Sequence, residues 1–265
     1  MKKTLTIVAV TTLWSLSPKA GAAIIQTNYG TTDGTVPGPG SSVSSTDLLQ
    51  TNLTSASRTG APGSGGRYFY SEDSGYSVVL ARLTDGVFGT AGGEPIYSVL
   101  PNQVTLTFEF DLGATPGGYT INSISSFASW DDGRDGQAYT VEYSHASTPT
   151  SFLSLAALTP YNIPQEQFTF VPDSDPEIPE YLGYYETSNA STLVRLTSSS
   201  GPLAEGVGSL RFVFGNFAEN VNAFENGGTA YREFDVMGAA TVPEPSAVLL
   251  GGLGMLALLR CRRRA

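Results

Sequence analysis

The chain has 265 residues, of which 40% are hydrophobic and 14% charged, so it can form one large or two small packed domains and is too apolar for wholesale disorder. Its single cysteine excludes an intrachain disulfide, and its single histidine excludes sites that need two imidazole ligands. Residues 24–241 contain seven arginines, no lysine and 23 carboxylates, a net charge of about −16 that repels polyanions and excludes nucleic acid as a partner.

Residues 1–23 have the three parts of a secretory signal peptide. Lys2 and Lys3 form a basic start, an apolar stretch runs from Leu5 to Leu16, and Ala20-Gly21-Ala22 is a small-x-small cleavage pattern. The alternative is a short buried helix. Cleavage at the pattern leaves a mature chain that starts near Ile24.

Residues 24–66 are rich in Gly, Ser, Thr and Pro, as in Val36-Pro37-Gly38-Pro39-Gly40. From residue 27 onward this composition predicts loop or extended chain. Pro172 to Tyr181 is acidic and holds three prolines, so it predicts an exposed loop inserted in the main domain.

Residues 67–241 contain short runs in which apolar and polar residues alternate, separated by turn signals such as Asp132-Gly133. In the first run, Val104, Leu106, Phe108 and Phe110 share one face. The runs are Val104 to Leu112, Tyr139 to Tyr143, Leu193 to Leu196, Leu210 to Phe214, and Tyr231 to Val236. Many short strands between Gly/Pro turns predict one all-β domain, a sandwich or jelly roll.

Residues 242–265 form a tail of three parts. Val242, Pro243, Glu244 and Pro245 make a stiff, extended segment, an uncharged run follows from Ala247 to Leu259, and four arginines lie among the last six residues. The tail resembles the PEP-CTERM sorting signal. The resemblance implies export, transient anchoring in the inner membrane by an apolar helix, cleavage by an exosortase, and association with the cell surface or extracellular polysaccharide. The alternative is a permanent C-terminal anchor.

The order of motifs in the body resembles the galactose-binding-like jelly roll of discoidin domains and several carbohydrate-binding modules. The matching segments are Leu83-Thr84-Asp85-Gly86, Phe108 to Gly113, Ile124 to Trp130, Tyr139 to Ser144, and Tyr231 to Gly238. The resemblance implies a structural calcium ion that joins the early loop to the last strand, with Asp85, Thr90 and Glu233 at the matching positions. The alternative is that Asp85 belongs to an ordinary turn and Glu233 is a solvated strand residue.

A second cluster lies on the glycine-rich loop that begins at Trp130. Sugars bind to sets of this kind, because an aromatic ring stacks on the sugar ring and polar side chains bridge its hydroxyls. The predicted ligand-binding residues are Trp130, Asp131, Asp132 and Arg134. The alternative is a polar turn with the tryptophan packed inward.

Catalytic motifs are weak. His145 has no second histidine or body cysteine for a zinc site, and no G-x-S-x-G turn is present. Carboxylates for glycoside hydrolysis are available at Asp131, Asp132, Glu142 and Glu166, but spacing in sequence does not pair them. The sequence therefore predicts an exported, non-catalytic protein that binds carbohydrate or exopolysaccharide. The alternatives are a purely structural matrix protein without a specific ligand and a glycoside hydrolase or lyase.

Overall fold

The computed structural model describes residues 23–32, 34–38, 43–59, 81–89, 97–99, 105–130, 135–163, 169–172, 183–186, 190–214 and 229–241. In these ranges the chain is almost entirely β, as predicted, with one helical turn α1 (Leu48–Thr51) and one 3-10 turn (Arg82–Thr84). The strands are β1 (Ile24–Thr31), β2 (Leu53–Thr59), β3 (Tyr97–Val99), β4 (Thr105–Phe110), β5 (Tyr119–Trp130), β6 (Tyr139–His145), β7 (Phe152–Ala157), β8 (Thr169–Pro172), β9 (Gly183–Glu186), β10 (Ala190–Ser198), β11 (Ala204–Phe214) and β12 (Thr229–Ala240).

Ten of these strands form two antiparallel layers that join at one corner. The first layer has the order β1-β10-β5-β12-β3, and the second has the order β2-β4-β11-β6-β7. The layers share hydrogen bonds where Tyr119 and Ile121 of β5 pair with Val207 and Ala204 of β11 across a bulge. β8 and β9 form a separate two-stranded sheet.

The core lies between the two layers and is rich in aromatic rings. Phe234 of β12 packs against Phe212 of β11, with ring centroids 4.7 Å apart, and against Phe108 of β4 at 6.4 Å. Leu106, Phe108 and Phe110 are buried while their odd-numbered neighbours are exposed or half-buried, which confirms the alternation read from the sequence. Burial of these large side chains is the main term that stabilises the sandwich.

The segment expected to be loop, residues 27–66, contains two strands, which corrects that expectation. β1 pairs with β10 over eight residues, and β2 pairs with β4. Both are outer strands of their layers in the described chain, and their side chains are exposed or half-buried. Such a strand depends on backbone pairing more than on apolar alternation, so its polar composition is a poor guide.

A third layer covers the outer face of the first sheet. α1 and the 3-10 turn contact β12 there, and their buried residues Leu48, Leu49 and Leu83 belong to the same apolar cluster as the core rings, whereas Phe88 packs in a separate cluster. Phe88 meets Phe127 of β5 edge-on, with ring centroids 6.1 Å apart. The outer face of β12 is therefore enclosed, although it belongs to the last strand of the fold.

Several predicted segments lie outside the described residues. These are most of the signal peptide (1–22), the sorting tail including its predicted helix (242–265), and the loop expected between Pro172 and Tyr181, apart from Pro172 at the end of β8. Among the residues that the structure does describe, no helix has the length and apolar character needed to cross a membrane.

Candidate functional site

Three buried carboxylates meet beneath the third layer, and we refer to Asp47, Glu233 and Asp235 as the carboxylate cluster. Glu233 and Asp235 are two residues apart on β12, so both point to its outer face. Asp47 is the N-cap residue of α1. One oxygen from each lies within 4.8 Å of the others, and their exposed fractions are 0%, 4% and 2% for Glu233, Asp235 and Asp47.

Only part of the hydrogen-bonding capacity of the cluster is used. Asp47 Oδ1 accepts from the backbone N–H of Leu49 at 2.7 Å and of Val236 at 3.3 Å, and Asp235 Oδ2 accepts from that of Ser44 at 2.9 Å. Among the described residues no group has the distance and angle of a full hydrogen bond to Asp47 Oδ2, Asp235 Oδ1 or either oxygen of Glu233, although the Gly86 backbone amide lies near enough to lower the pKa of Glu233. Buried carboxylate oxygens without partners are rare, so this arrangement calls for a compensating positive charge.

The pKa values of the three carboxyls also indicate that the cluster lacks compensating positive charge. Burial raises the pKa of Glu233 to about 10, with further upward contributions from Asp235, Asp85 and Asp47, while the backbone amide of Gly86 lowers it. Burial likewise raises the pKa of Asp235 to about 7 against the lowering effect of the Ser44 amide. The pKa of Asp47 is also raised by burial. Each shift marks a charged form that the site disfavours as it stands.

A hard divalent cation fits this donor set. Ca²⁺ prefers carboxylate and carbonyl oxygens, which are the groups that converge here without partners. The charge of Arg195 lowers the pKa of Asp235, but its Nε donates to Ser125 Oγ at 3.2 Å. Arg195 therefore compensates part of the negative charge at Asp235 and does not lower the pKa of Glu233.

The structure brings only some of the predicted metal residues to this place. Glu233 is a member of the cluster, and Asp85 lies near enough to raise the pKa of Glu233. However, the Asp85 side chain is exposed, and its Oδ1 accepts from the Val87 N–H at 2.9 Å. Thr90 lies outside the described residues.

Sequence reasoning missed the other two members of the cluster. Asp235 could have been found from its position two residues after Glu233, which places both on one face of a strand. Asp47 gave only the signal of a helix N-cap before two leucines. Nothing local indicated that this cap would pack on β12.

The predicted sugar loop is only partly described. Trp130 is the last residue of β5 and pairs with Ala190, while Asp131, Asp132 and Arg134 lie outside the described residues. The chain re-enters the description at Asp135, which is 2% exposed and whose Oδ2 accepts from the Ile163 N–H at 3.1 Å. Asp135 therefore anchors the loop inside the protein.

A buried polar network holds the end of this loop. Gln137 is fully buried, and its Nε2 donates to Thr192 Oγ1 at 3.0 Å and to the Ser126 carbonyl at 3.2 Å. Ser126 Oγ donates to Gln137 Oε1 and also shares a hydrogen bond with the Tyr139 hydroxyl at 2.6 Å. A satisfied network of this kind fixes one conformation, so the base of the Trp130 loop is rigid.

One carboxylate considered for glycoside hydrolysis has a different partner. Glu142 on β6 forms an ion pair with Arg211 on β11, and the Arg211 guanidinium lies 3.8 Å from the ring centroid of Phe152. The other three candidates, Asp131, Asp132 and Glu166, lie outside the described residues. The ring of His145 packs edge-on against Tyr143.

Comparison with known protein families identifies a sorting motif in the C-terminal tail. Residues 241–264 match the PEP-CTERM protein-sorting motif. The predicted tail is thereby confirmed, and the motif indicates exosortase processing and surface localisation. No curated protein is similar in sequence to the chain.

Solved structures that resemble the fold include carbohydrate-binding modules. One, from Clostridium perfringens in complex with GalNAc-β-1,3-galactose, is 16% identical over 72% of this chain and 99% of the module, with a TM-score of 0.37. Another, from a family 31 glycoside hydrolase of the same organism, is 10% identical with the same coverage and TM-score. The K2 adhesin domain of Lys-gingipain is 13% identical over 74% and 97%, at 0.36. At these identities and TM-scores the likeness concerns the fold.

Proposed function

We propose that this chain is an exported surface protein whose β-sandwich binds carbohydrate without catalysing a reaction, and that a calcium ion in the carboxylate cluster stabilises it. The sorting motif at residues 241–264 supports the destination. The motif order of the body, which resembles galactose-binding-like modules, supports the activity. The observation that carries the binding site is the rigid base beneath the Trp130 loop.

Strand ends converge around this loop. β5 ends at Trp130, and its neighbours β10 and β12 begin at Ala190 and Thr229 on either side. The Thr229 hydroxyl donates to the Gly136 carbonyl at the far end of the loop, and Gln137 bonds to β10. A loop between such fixed ends is a suitable place for a sugar site, because recognition residues are best held by a rigid scaffold.

Burial and pairing of the described carboxylates favour binding over hydrolysis. Glycosidases need two carboxyl groups that face the scissile bond from an accessible cleft. The carboxylate cluster is enclosed beneath α1 and the 3-10 turn, where a polysaccharide has no access. Glu142 is engaged by Arg211.

The proposed calcium ion has a structural role. Asp47, Glu233 and Asp235 would hold it through their unpartnered oxygens, and the family resemblance adds Asp85 and Thr90 as further oxygen donors. The ion supplies positive charge that compensates buried carboxylates. It also joins two parts of the chain that are almost 190 residues apart.

Native gel electrophoresis in polysaccharide-containing gels tests the binding proposal. Residues 24–241 are used, since they include every described strand and Thr241, whose N–H bonds to the Gly118 carbonyl at 2.9 Å. We expect selective retardation by one polysaccharide of a bacterial and plant panel. Trp130→Ala should abolish it, whereas Phe152→Ala, which removes an aromatic ring from β7 in the second layer, should not.

The other possible outcomes of this experiment would favour the alternative functions or a different binding site. Retardation that survives Trp130→Ala would place the binding site elsewhere on the sandwich. Absence of retardation by every polysaccharide would favour the structural matrix protein over the binding module. Release of reducing sugars during incubation would favour a glycoside hydrolase.

A further inference from the structure

The carboxylate cluster joins a short segment of the chain to the sandwich, and we call residues 43–52, which include α1, the strap. The strap lies between β1 and β2, which are outer strands of different layers. In the described chain, no strand pairing ties the strap itself to either layer. Its two ends are nevertheless fixed, because both flanking strands are paired over most of their length.

The contacts of the strap with β12 depend on the cluster. Two hydrogen bonds connect them: the Ser44 N–H donates to Asp235 Oδ2, and the Val236 N–H donates to Asp47 Oδ1. Each of these bonds ends on a carboxylate of the cluster. The remaining attachment comes from the buried side chains of Leu48 and Leu49 and, at the C-terminal end of the strap, from Asn52, whose carbonyl accepts from the Asp111 N–H at 2.8 Å and whose Oδ1 accepts from the Tyr119 hydroxyl at 3.3 Å.

Without a cation, these three carboxyls share one enclosed volume in which their ionised forms repel one another and lack solvent. Glu233 and Asp235 cannot leave easily, since β12 pairs with β5 along most of its length. Asp47 can leave when the strap lifts, because the strap has no sheet pairing of its own. Outward movement of the strap is therefore the least disruptive way to separate the charges.

We infer that the strap is a calcium-dependent flap: it closes over the outer face of β12 when a divalent cation bridges Asp47 to Glu233 and Asp235, and it opens when the cation is removed. This inference rests on the calcium site proposed above. Calcium sites of extracellular modules bind at about 10⁻⁴–10⁻³ M, so the flap would close after export. Opening would expose the polar outer face of β12 together with Leu48 and Leu49, which lie at the margin of the core, while the strand pairing of the two layers is retained.

Hydrogen exchange measured by mass spectrometry tests the flap, with the full-length chain in mild detergent and calcium chloride or EDTA as the two conditions. We expect EDTA to accelerate exchange in the strap by about tenfold or more, while peptides from β4 and β11 change by less than about twofold. Asp47→Asn keeps the oxygen that caps α1 and removes the unpartnered one. It should abolish the calcium dependence of strap exchange.

Glu109→Gln is the matched control, because Glu109 is an exposed carboxylate on β4 that accepts from the Ser55 hydroxyl at 2.7 Å. The calcium dependence of its strap exchange should equal that of the wild type.

Calorimetric titration with calcium chloride tests the calcium site separately from the flap. Absence of calcium binding would overturn the site and the flap together. Calcium binding with unchanged strap exchange, or with equal acceleration in β4 and β11, would overturn the flap and leave the site standing.

Discussion

The substitution Glu233→Gln should stabilise the protein in EDTA and remove most of the stabilisation that calcium gives to the wild type. Without a divalent cation, the wild type carries a fully buried carboxyl whose pKa burial and neighbouring charges raise to about 10. At about pH 7.5 this carboxyl is therefore protonated in the folded protein and ionised in the unfolded chain, so folding costs the free energy of taking up a proton. Glutamine avoids that cost at nearly the same volume, so the variant should be the more stable protein in EDTA. Calcium should stabilise the variant much less than it stabilises the wild type, because the variant lacks a charged ligand.

The stabilisation by calcium and the stabilisation in EDTA can each be given an approximate size. A ligand at a hundred times its Kd stabilises a protein by about 2.7 kcal/mol, which for a domain of this size raises the melting temperature by about 5–11 °C. If loss of one of three carboxylates weakens calcium binding about 100-fold, the same calcium concentration stabilises the variant by only about 0.4 kcal/mol. In EDTA and at about pH 7.5, Glu233 takes up a proton on folding about three pH units above its ordinary pKa of 4.5, so its replacement by glutamine should stabilise by up to about 4 kcal/mol.

Thermal unfolding followed by circular dichroism at about pH 7.5 measures both effects, in about 10 mM calcium chloride and in EDTA. Glu109→Gln removes an exposed carboxylate of the same chemistry and should behave as the wild type does in both conditions. If Glu233→Gln lowers the melting temperature equally with and without calcium, Glu233 only fills space in the third layer and the metal argument fails.

Three further predictions concern stability in urea. Gln137→Leu should lower the free energy of unfolding by about 2–4 kcal/mol, because it removes the buried side-chain hydrogen bonds of Gln137 to Ser126 of β5 and Thr192 of β10. Gly118→Ala should cost more than Gly201→Ala: both glycines have positive φ, 75° and 72°, but only at Gly118 would the new Cβ lie 2.6–2.8 Å from backbone atoms of β11. In EDTA, the free energy of unfolding should fall as the pH rises from about 5 to about 8. The slope should be about 1.4 kcal/mol per pH unit for each carboxyl that is protonated only in the folded state. Calcium should make this pH dependence weaker. The sign follows because the pKa values of Asp235, about 7, and Glu233, about 10, lie above those of the unfolded chain; a rise in stability over this range would contradict it.

The regularities that the sequence revealed correctly are local ones. The alternation of Leu106, Phe108 and Phe110 predicted a strand with one buried face, and β4 has that face in the core. The tail needed no tertiary structure at all, because a sorting signal is read as an extended segment followed by an apolar run and arginines. Glu233 was singled out as a metal ligand through the motif order of the last strand; it lies in the carboxylate cluster, and its role as a ligand stays a prediction.

Tertiary structure alone decided which residues stand together. Asp47 and Glu233 are almost 190 residues apart, and their meeting depends on the packing of α1 against the outer face of β12, which no local pattern records. The strands within residues 24–59 were likewise hidden, because polar edge strands gain their stability from backbone pairing with distant partners. Periodicity along a chain indicates which side of a strand or helix is buried. It does not indicate which other element buries that side, because this is decided only when the whole core packs. The carboxylate cluster could not be predicted from the sequence for this reason.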